Sequence, residues 1–490
     1  MNAHQTIKDR SGRAGSGRAL IGLTLLIAIL LWPRSSQAQQ AGSQWSRPVD
    51  ATLGSGAESG SFAVLLCDQY QDAYLLFAEQ SEAGAAVYFR TDAEGSWSVP
   101  RDVIATADVV VFGLGATIAN RDDSLHAIWM NRYMSGDLIY SRTPLRTSND
   151  PRSWSSPITL ANSVDWAAIQ ADSLGIVHVV YGATDASGIK HTVYHVESDD
   201  SGLTWSEPVS AYTGATAVPS IIRPEIALDG RNRIHIGMSI NSNEYGVYSE
   251  VGYVQSSDGG ATWSVYKQVQ KTGSTFQGVA WISPFAFGDD EIHLTWHDPR
   301  RLHAWSLDGG QTWHGPIEIM PLGAAFGGRN FLTRDSAGVL HVVTAVADGV
   351  FSASWDGTEW GTPEQLETRF IDPHGQSIMA CQGNQLHVAY YDRIGDNKTW
   401  YSTRLVNAPH IDRKPMPTAT PLPTPTLRAN TGGTSAGNSA VPVVSAAALE
   451  NLDRREPDKS DPLQPVIIPV LSVGGLFVVV YVVRQQRSRK

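Results

Sequence analysis

The chain has 490 residues, with 37 Lys+Arg against 48 Asp+Glu, a formal net charge of −11, and two cysteines. Five basic residues and one acid precede Gln39 and four basic residues follow Val483, so residues 39–483 hold 28 basic against 47 acidic residues, or −19. A surface of that sign repels nucleic acid and anionic headgroups, which excludes nucleic acid as a partner and requires a local arginine cluster for any anionic ligand.

From the first residue, Met1–Arg18 carries Lys8, Arg10, Arg13 and Arg18, and the apolar run Ala19–Trp32 follows. That run is 14 residues long, which suits a signal-peptide core and is short for a membrane span. Ser36-Gln37-Ala38 is a small-x-small site. Residues 1–38 are therefore expected to be a signal peptide cleaved after Ala38, with an uncleaved anchor as the alternative; both export the bulk of the chain.

Residues 39–407 exceed the usual size of a single core, yet they show no linker and no helical periodicity. They repeat instead. The pattern S-x-D-x-G-x-T-W occurs at Ser198–Trp205, Ser256–Trp263 and Ser306–Trp313. Its spacing predicts a hairpin turn in which Asp200, Asp258 and Asp308 accept backbone N–H bonds and Gly202, Gly260 and Gly310 take a positive φ. Thr then opens a strand, and Trp205, Trp263 and Trp313 are its first core side chains. Weaker copies place Asp92 before Trp97, Asn149 before Trp154, and Asp356-Gly357 before Trp360.

These stretches resemble the Asp boxes, or BNR repeats, of the sialidase-like β-propellers. A second repeat supports the likeness: Leu125-His126, Val177-His178, Ile234-His235, Ile292-His293, Leu340-His341 and Leu386-His387 all sit in one strand context. Four short strands in each unit of roughly 45–60 residues are the signature of a propeller blade. One repeated strand position accounts for six of the 14 histidines without chemistry. No metal is expected, because a propeller holds equivalent positions apart, and no cofactor is implied.

Trp97, Trp154, Trp205, Trp263, Trp313 and Trp360 close six units, and two more strands follow in Ser377–Tyr391 and Thr399–Val406. Trp45-Ser46-Arg47-Pro48 matches Trp97-Ser98-Val99-Pro100 and supplies the strand the last unit lacks. The expected fold is thus all-β, a seven-bladed β-propeller closed by an N-terminal strand, with a six-bladed sialidase-type propeller as the alternative. Mixed termini remove an exposed sheet edge. Cys67 and Cys381 occupy matching places in the first and last units, so the alternatives for them are a disulfide across the seam or two buried thiols.

Ligand contacts are expected on the face opposite the boxes. Three loops there repeat an aromatic, an Asp or Asn, and an Arg: Trp129-Met130-Asn131-Arg132, Trp296-His297-Asp298-Pro299-Arg300 and Tyr390-Tyr391-Asp392-Arg393. Arg132, Asp298, Arg300, Tyr391, Asp392 and Arg393 are the binding candidates. Guanidiniums aimed at the axis could hold a carboxylate, or each could tie its own loop by a surface pair. Asn241, Asn243, Glu244, Tyr245, Arg223 and Arg329 share this face without a spacing that assigns them a role.

The resemblance implies an arginine triad, a Tyr nucleophile with its Glu, and an Asp acid/base for a sialidase. The Phe/Tyr-Arg-Ile-Pro that usually precedes the first box is absent between Gln39 and Asp92, and Arg223-Pro224 is its nearest fragment. Catalytic residues are therefore left unassigned. No P-loop, dinucleotide fingerprint or metalloprotease motif appears.

Residues 408–464, with the Pro/Thr tract Lys414–Leu427, read as a disordered stalk. Pro465–Val483 is 19 uncharged residues, about 28 Å as a helix, which is expected to span the membrane. Arg484, Arg487, Arg489 and Lys490 form a basic tail on residues 484–490 that stays cytoplasmic. The functional expectation is a cell-surface propeller binding an extracellular glycan or protein ligand at its axial face. The alternatives are a sialidase-like exo-glycosidase and an assembly or scaffold factor.

Overall fold

The computed structural model describes residues 44–53, 61–81, 84–106, 110–132, 135–184, 191–214, 222–241, 248–271, 280–298, 300–321, 329–346, 349–368, 376–392 and 398–417. The expected signal peptide, most of the stalk, the span, the basic tail and Arg393 lie outside them. Among the described residues no helix is long and apolar enough to cross a membrane.

Every described sheet is an antiparallel meander. Five have four strands, and one of seven strands is continuous because Ile158–Ala171 pairs with Gly136–Pro144 through its first half and with Val177–Thr184 through its second. The innermost strands are Ser61–Cys67, Phe112–Ala119, the second half of Ile158–Ala171, Ile222–Leu228, Ala280–Phe287, Asn330–Arg334 and Ser377–Cys381. Each touches the next, and Ser377–Cys381 touches Ser61–Cys67, so the order is cyclic.

Closure uses both ends of the domain. Val49 and Asp50 pair with Tyr401 and Trp400 as the outer strand of the sheet that contains His387. The Ser46 N–H donates to Thr403 O at 2.7 Å. Cys67 and Cys381 are disulfide-bonded across the same seam, with Cα atoms 5.7 Å apart.

The repeated histidine has a defined mechanical place. His126 Nδ1 meets Tyr140 Oη at 2.7 Å, His235 Nδ1 meets Tyr253 Oη at 2.7 Å, and His387 Nδ1 meets Tyr401 Oη at 2.5 Å. In two sheets the partner is another histidine: His178 with His195 at 3.0 Å and His293 with His303 at 2.9 Å. Behind the ring stands the acid of the preceding turn, as in Asp229 to His235 at 3.2 Å and Asp335 to His341 at 2.9 Å. The same carboxylates accept turn N–H groups, Asp229 from Arg231 and Arg233 and Asp335 from Ala337 and Val339. One Asp thus closes a turn and orients a core imidazole.

The partner ring then supports the next four-strand unit. Tyr140 packs edge-on against Trp205 at 4.9 Å, Tyr253 against Trp313 at 5.1 Å, and Tyr401 against Trp97 at 5.0 Å. Neighbouring sheets are therefore joined by a histidine, a ring and a tryptophan in series, which buries apolar area between units that could not bury it alone.

The three complete turns share one hydrogen-bond set. In each, the Ser hydroxyl bonds the Asp carboxylate and accepts from the N–H of the Gly four residues on (Gly202, Gly260 or Gly310), while the Asp accepts from Thr N–H and Thr Oγ1. These bonds, led by the Thr hydroxyl, lower Asp200 and Asp258 to about 2. The expectation that Thr opens a strand is corrected: strands begin at Val209, Lys267 and His314, beyond each Trp. The Trp is instead a wedge onto the preceding sheet, and its strand starts once the chain has cleared that contact.

Residues 408–417, assigned to the stalk by composition, lie against the domain. Ile411 N–H donates to Gln382 O at 2.9 Å and Lys414 N–H to Tyr70 O at 3.0 Å, and Arg413 pairs with Asp92. Composition marks these residues as stalk, but the Ile411 and Lys414 N–H groups find backbone acceptors along the seam.

Candidate functional site

The leading ends of the innermost strands are irregular. Phe62 (φ 49°), Gly113 (φ 61°) and Trp281 (φ 58°) sit in the left-handed region, at register shifts between Ser61 and Val64, Phe112 and Gly115, and Ala280 and Ser283. A bulky aromatic residue held there costs on the order of 1–3 kcal/mol. Such bulges re-aim a side chain. Here they bring aromatic rings from four of the innermost strands into an arc, with Phe62 to Phe112 at 4.9 Å, Phe112 to Trp166 at 5.9 Å, and Trp166 to Trp281, past Ile222–Leu228, at 5.0 Å.

The arc borders a cavity of about 140 Å³ lined by residues of six innermost strands or their leading ends, among them Phe62, Gly113, Trp166, Glu225, Arg329 and Gln376. A space enclosed by innermost strands in cyclic order lies on the axis. The strands enter it from the face opposite the complete turns, because those turns join outer strands at the far end of each sheet.

Two guanidiniums stand at this mouth. Arg223 lies over the Trp281 ring at 4.4 Å, and Arg329 lies over Trp166 at 5.2 Å and Phe331 at 5.0 Å. Glu225 accepts from Trp166 Nε1 at 2.6 Å and pairs with Arg329. Gln376 Nε2 fixes the Arg329 carbonyl at 2.6 Å. Burial first, then the neighbouring Arg223, works against the charge on Arg329, which the Glu225 carboxylate supports. Arg329 Nε is buried and has no hydrogen-bond partner among the described residues. The Arg223 and Arg329 guanidiniums thus stand against aromatic faces, with the Glu225 carboxylate paired to Arg329.

The residues singled out by the sequence are dispersed by comparison. Arg132 is exposed and donates to Ser135 O of its own loop at 2.5 Å. Arg300 is exposed at a tight hairpin, where it pairs in register with Asp298. Tyr391 and Asp392 are buried in the last sheet. The neighbour of Arg300 is the buried one: Arg301 is fully enclosed, Nε donates to Thr344 Oγ1 at 3.2 Å, and neither Nη has a partner among the described residues. Alternation along a strand sends adjacent arginines to opposite sides.

Arg223 and Arg329 were placed on this face by sequence but given no role. The aromatic arc was missed. Its signal was present, since Phe62, Phe112, Trp166, Trp281 and Phe331 each stand near the start of an innermost strand; that position repeats like the histidine.

No protein-family model matches the chain, and no curated protein matches it. Solved structures do. Polysaccharide lyase Uly1 is similar over 74% of this chain and 98% of its own, at 10% identity and a TM-score of 0.50. The fold is a β-propeller. A protein of unknown function from Dyadobacter fermentans aligns with this propeller over 75% of the chain and 100% of its own, at 12% identity and a TM-score of 0.46. NanB sialidase from Streptococcus pneumoniae aligns over 72% of the chain and 70% of its own, at 12% identity and a TM-score of 0.44.

Proposed function

We propose that the protein is an exported, membrane-anchored propeller of the sialidase-like superfamily, with seven blades and Asp-box turns, that binds a carboxylate-bearing glycan at its axial mouth. The observation that carries the reading is the convergence of Arg223 and Arg329 on Trp166 and Trp281, with Glu225 paired to Arg329. Guanidiniums recognise a carboxylate by paired hydrogen bonds and the indole faces suit a sugar ring. The cyclic contact of the innermost strands and the shared Ser/Asp/Thr bonds favour seven blades and Asp boxes. Likeness to a polysaccharide lyase supports a glycan over a protein ligand. Binding is preferred to hydrolysis because Arg132 is spent on its own loop and Arg300 is solvent-exposed. The bonded cysteines suit an oxidising exterior.

Calorimetric titration of the full chain with N-acetylneuraminic acid, with a hexuronate oligosaccharide and with a neutral hexose oligosaccharide tests this. The expected result is binding of a carboxylated sugar only, lost in Arg329→Met. Equal affinity for the neutral sugar, or binding unchanged in Arg329→Met, would overturn it. Release of product from the hexuronate oligosaccharide, or of N-acetylneuraminic acid from a sialoside, would move the reading to the glycosidase. Recovery of the chain in the membrane fraction tests the anchor.

A further inference from the structure

A second cluster lies near the opposite ends of the strands, on the side of the complete turns. In the four-strand unit that contains His178, the histidine meets a histidine, His195, where the units of His126, His235 and His387 use tyrosine. Two residues further along the same strand, and so on the same side of it, stands Glu197. The His178 Nδ1 to His195 Nε2 distance is 3.0 Å, the His178 Nδ1 to Glu197 Oε2 distance is 3.5 Å, and one donor atom from each residue lies within 4.8 Å of the others.

We propose that His178, His195 and Glu197 form a Zn²⁺ site. Two imidazole nitrogens and a carboxylate oxygen are the donor types this ion takes, and ligands at 2.0–2.1 Å in a tetrahedron stand about 3.3 Å apart, close to the separations seen. Both histidines are buried, whereas the Glu197 side chain is 36% exposed, which leaves one side of the cluster open for entry and for a water ligand. Behind His178, Nε2 is buried without a hydrogen-bond partner and faces the Asp172 carboxylate at 3.8 Å. Drawn to hydrogen-bond distance as the ion binds, that carboxylate would hold the Nε2–H tautomer that frees Nδ1 for the ion. The sheet of His293 is an internal control: His293 and His303 make the same pair, but Trp305 occupies the position of Glu197. The ring of repeated histidines still holds its members apart. It is the second histidine within one sheet, with its glutamate, that gathers a donor set.

Equilibrium dialysis of the full chain against Zn²⁺ after chelator treatment tests the proposal, with Co²⁺ absorption as a second readout of tetrahedral nitrogen and oxygen ligation. His195→Tyr installs the residue used at Tyr140 and Tyr253, which lie beneath Gly202 and Gly310 of the following turns as His195 lies beneath Gly260. It is expected to fold and to lose the ion. Glu197→Gln, at the half-exposed position, is expected to weaken binding at least tenfold, and Asp172→Asn by about 10- to 100-fold. His303→Tyr should bind as the parent does. One bound ion per chain that follows this pattern supports the site. No binding at micromolar Zn²⁺, or binding indifferent to His195→Tyr and Glu197→Gln, would overturn it.

Discussion

Trp45 Nε1 donates to Ser352 Oγ at 3.1 Å, across 307 positions of sequence and from the last sheet to the one before it. The indole is buried among Val343, Val350, Ile378 and Val388. It therefore does for the closing sheet what Trp205 and Trp313 do inside the array. Trp45→Ala is expected to destabilise the domain by about 3–5 kcal/mol, the usual range for emptying a buried tryptophan site. A urea midpoint unchanged from the parent would show that the ring closes without it.

The Cys67–Cys381 bond spans 314 positions and ties the first innermost strand to the last. Cross-linking so long a loop restricts the unfolded chain, and removing such a bond costs about 2–5 kcal/mol. Cys67→Ser with Cys381→Ser should lower the melting temperature of the parent under non-reducing conditions. Reductant should bring the parent down towards the double variant and leave the variant itself unmoved.

Buried neutral histidines set an acid limit. Burial lowers His126 to about 4 and His387 to about 3, and lowers His235 and His341 against the pull of their aspartates. In the unfolded chain each titrates near 6.5, so below that pH the unfolded state binds protons the folded state refuses. Stability should be flat above pH 6.5 and fall as pH drops towards 4, with His126 alone accounting for about 2 kcal/mol between pH 7 and pH 5. Urea midpoints at pH 7, 6 and 5 measure it. A midpoint independent of pH over this range would contradict neutral burial.

Two glycines of similar φ separate backbone strain from close approach. Gly310 has φ +83° and a Cβ there would stand 2.1 Å from Tyr253 Oη, whereas Gly95 has φ +80° and open space around it. Gly95→Ala should cost about 1 kcal/mol, from the left-handed backbone alone. Gly310→Ala should cost about 1–3 kcal/mol more, because the ring that meets His235 has to move. Equal losses by denaturant titration would remove the packing account of the turn.

Much of the architecture was legible from spacing. The Ser/Asp/Gly/Thr/Trp pattern is local chemistry: each hydroxyl and carboxylate reaches backbone within four residues, so sequence order alone fixes those bonds. The recurring histidine was likewise readable as a strand position rather than a reactive group, and Trp45-Ser46 matched later copies before any pairing was seen. Composition starts the stalk at residue 408 because it reports how a chain behaves in solvent, while Arg413 and Lys414 answer to acceptors on a surface that sequence does not display.

Sequence by itself determined the repeat, the turn chemistry and the need to join the two ends. Only the tertiary structure decided which arginines matter, since Arg223 and Glu225 meet Arg329 from about a hundred residues away in sequence. The same holds for His178, His195 and Glu197. The reason is geometric: hydrogen bonds within a turn are set by a few torsions, whereas convergence on an axis depends on how every sheet in the ring is packed against the next.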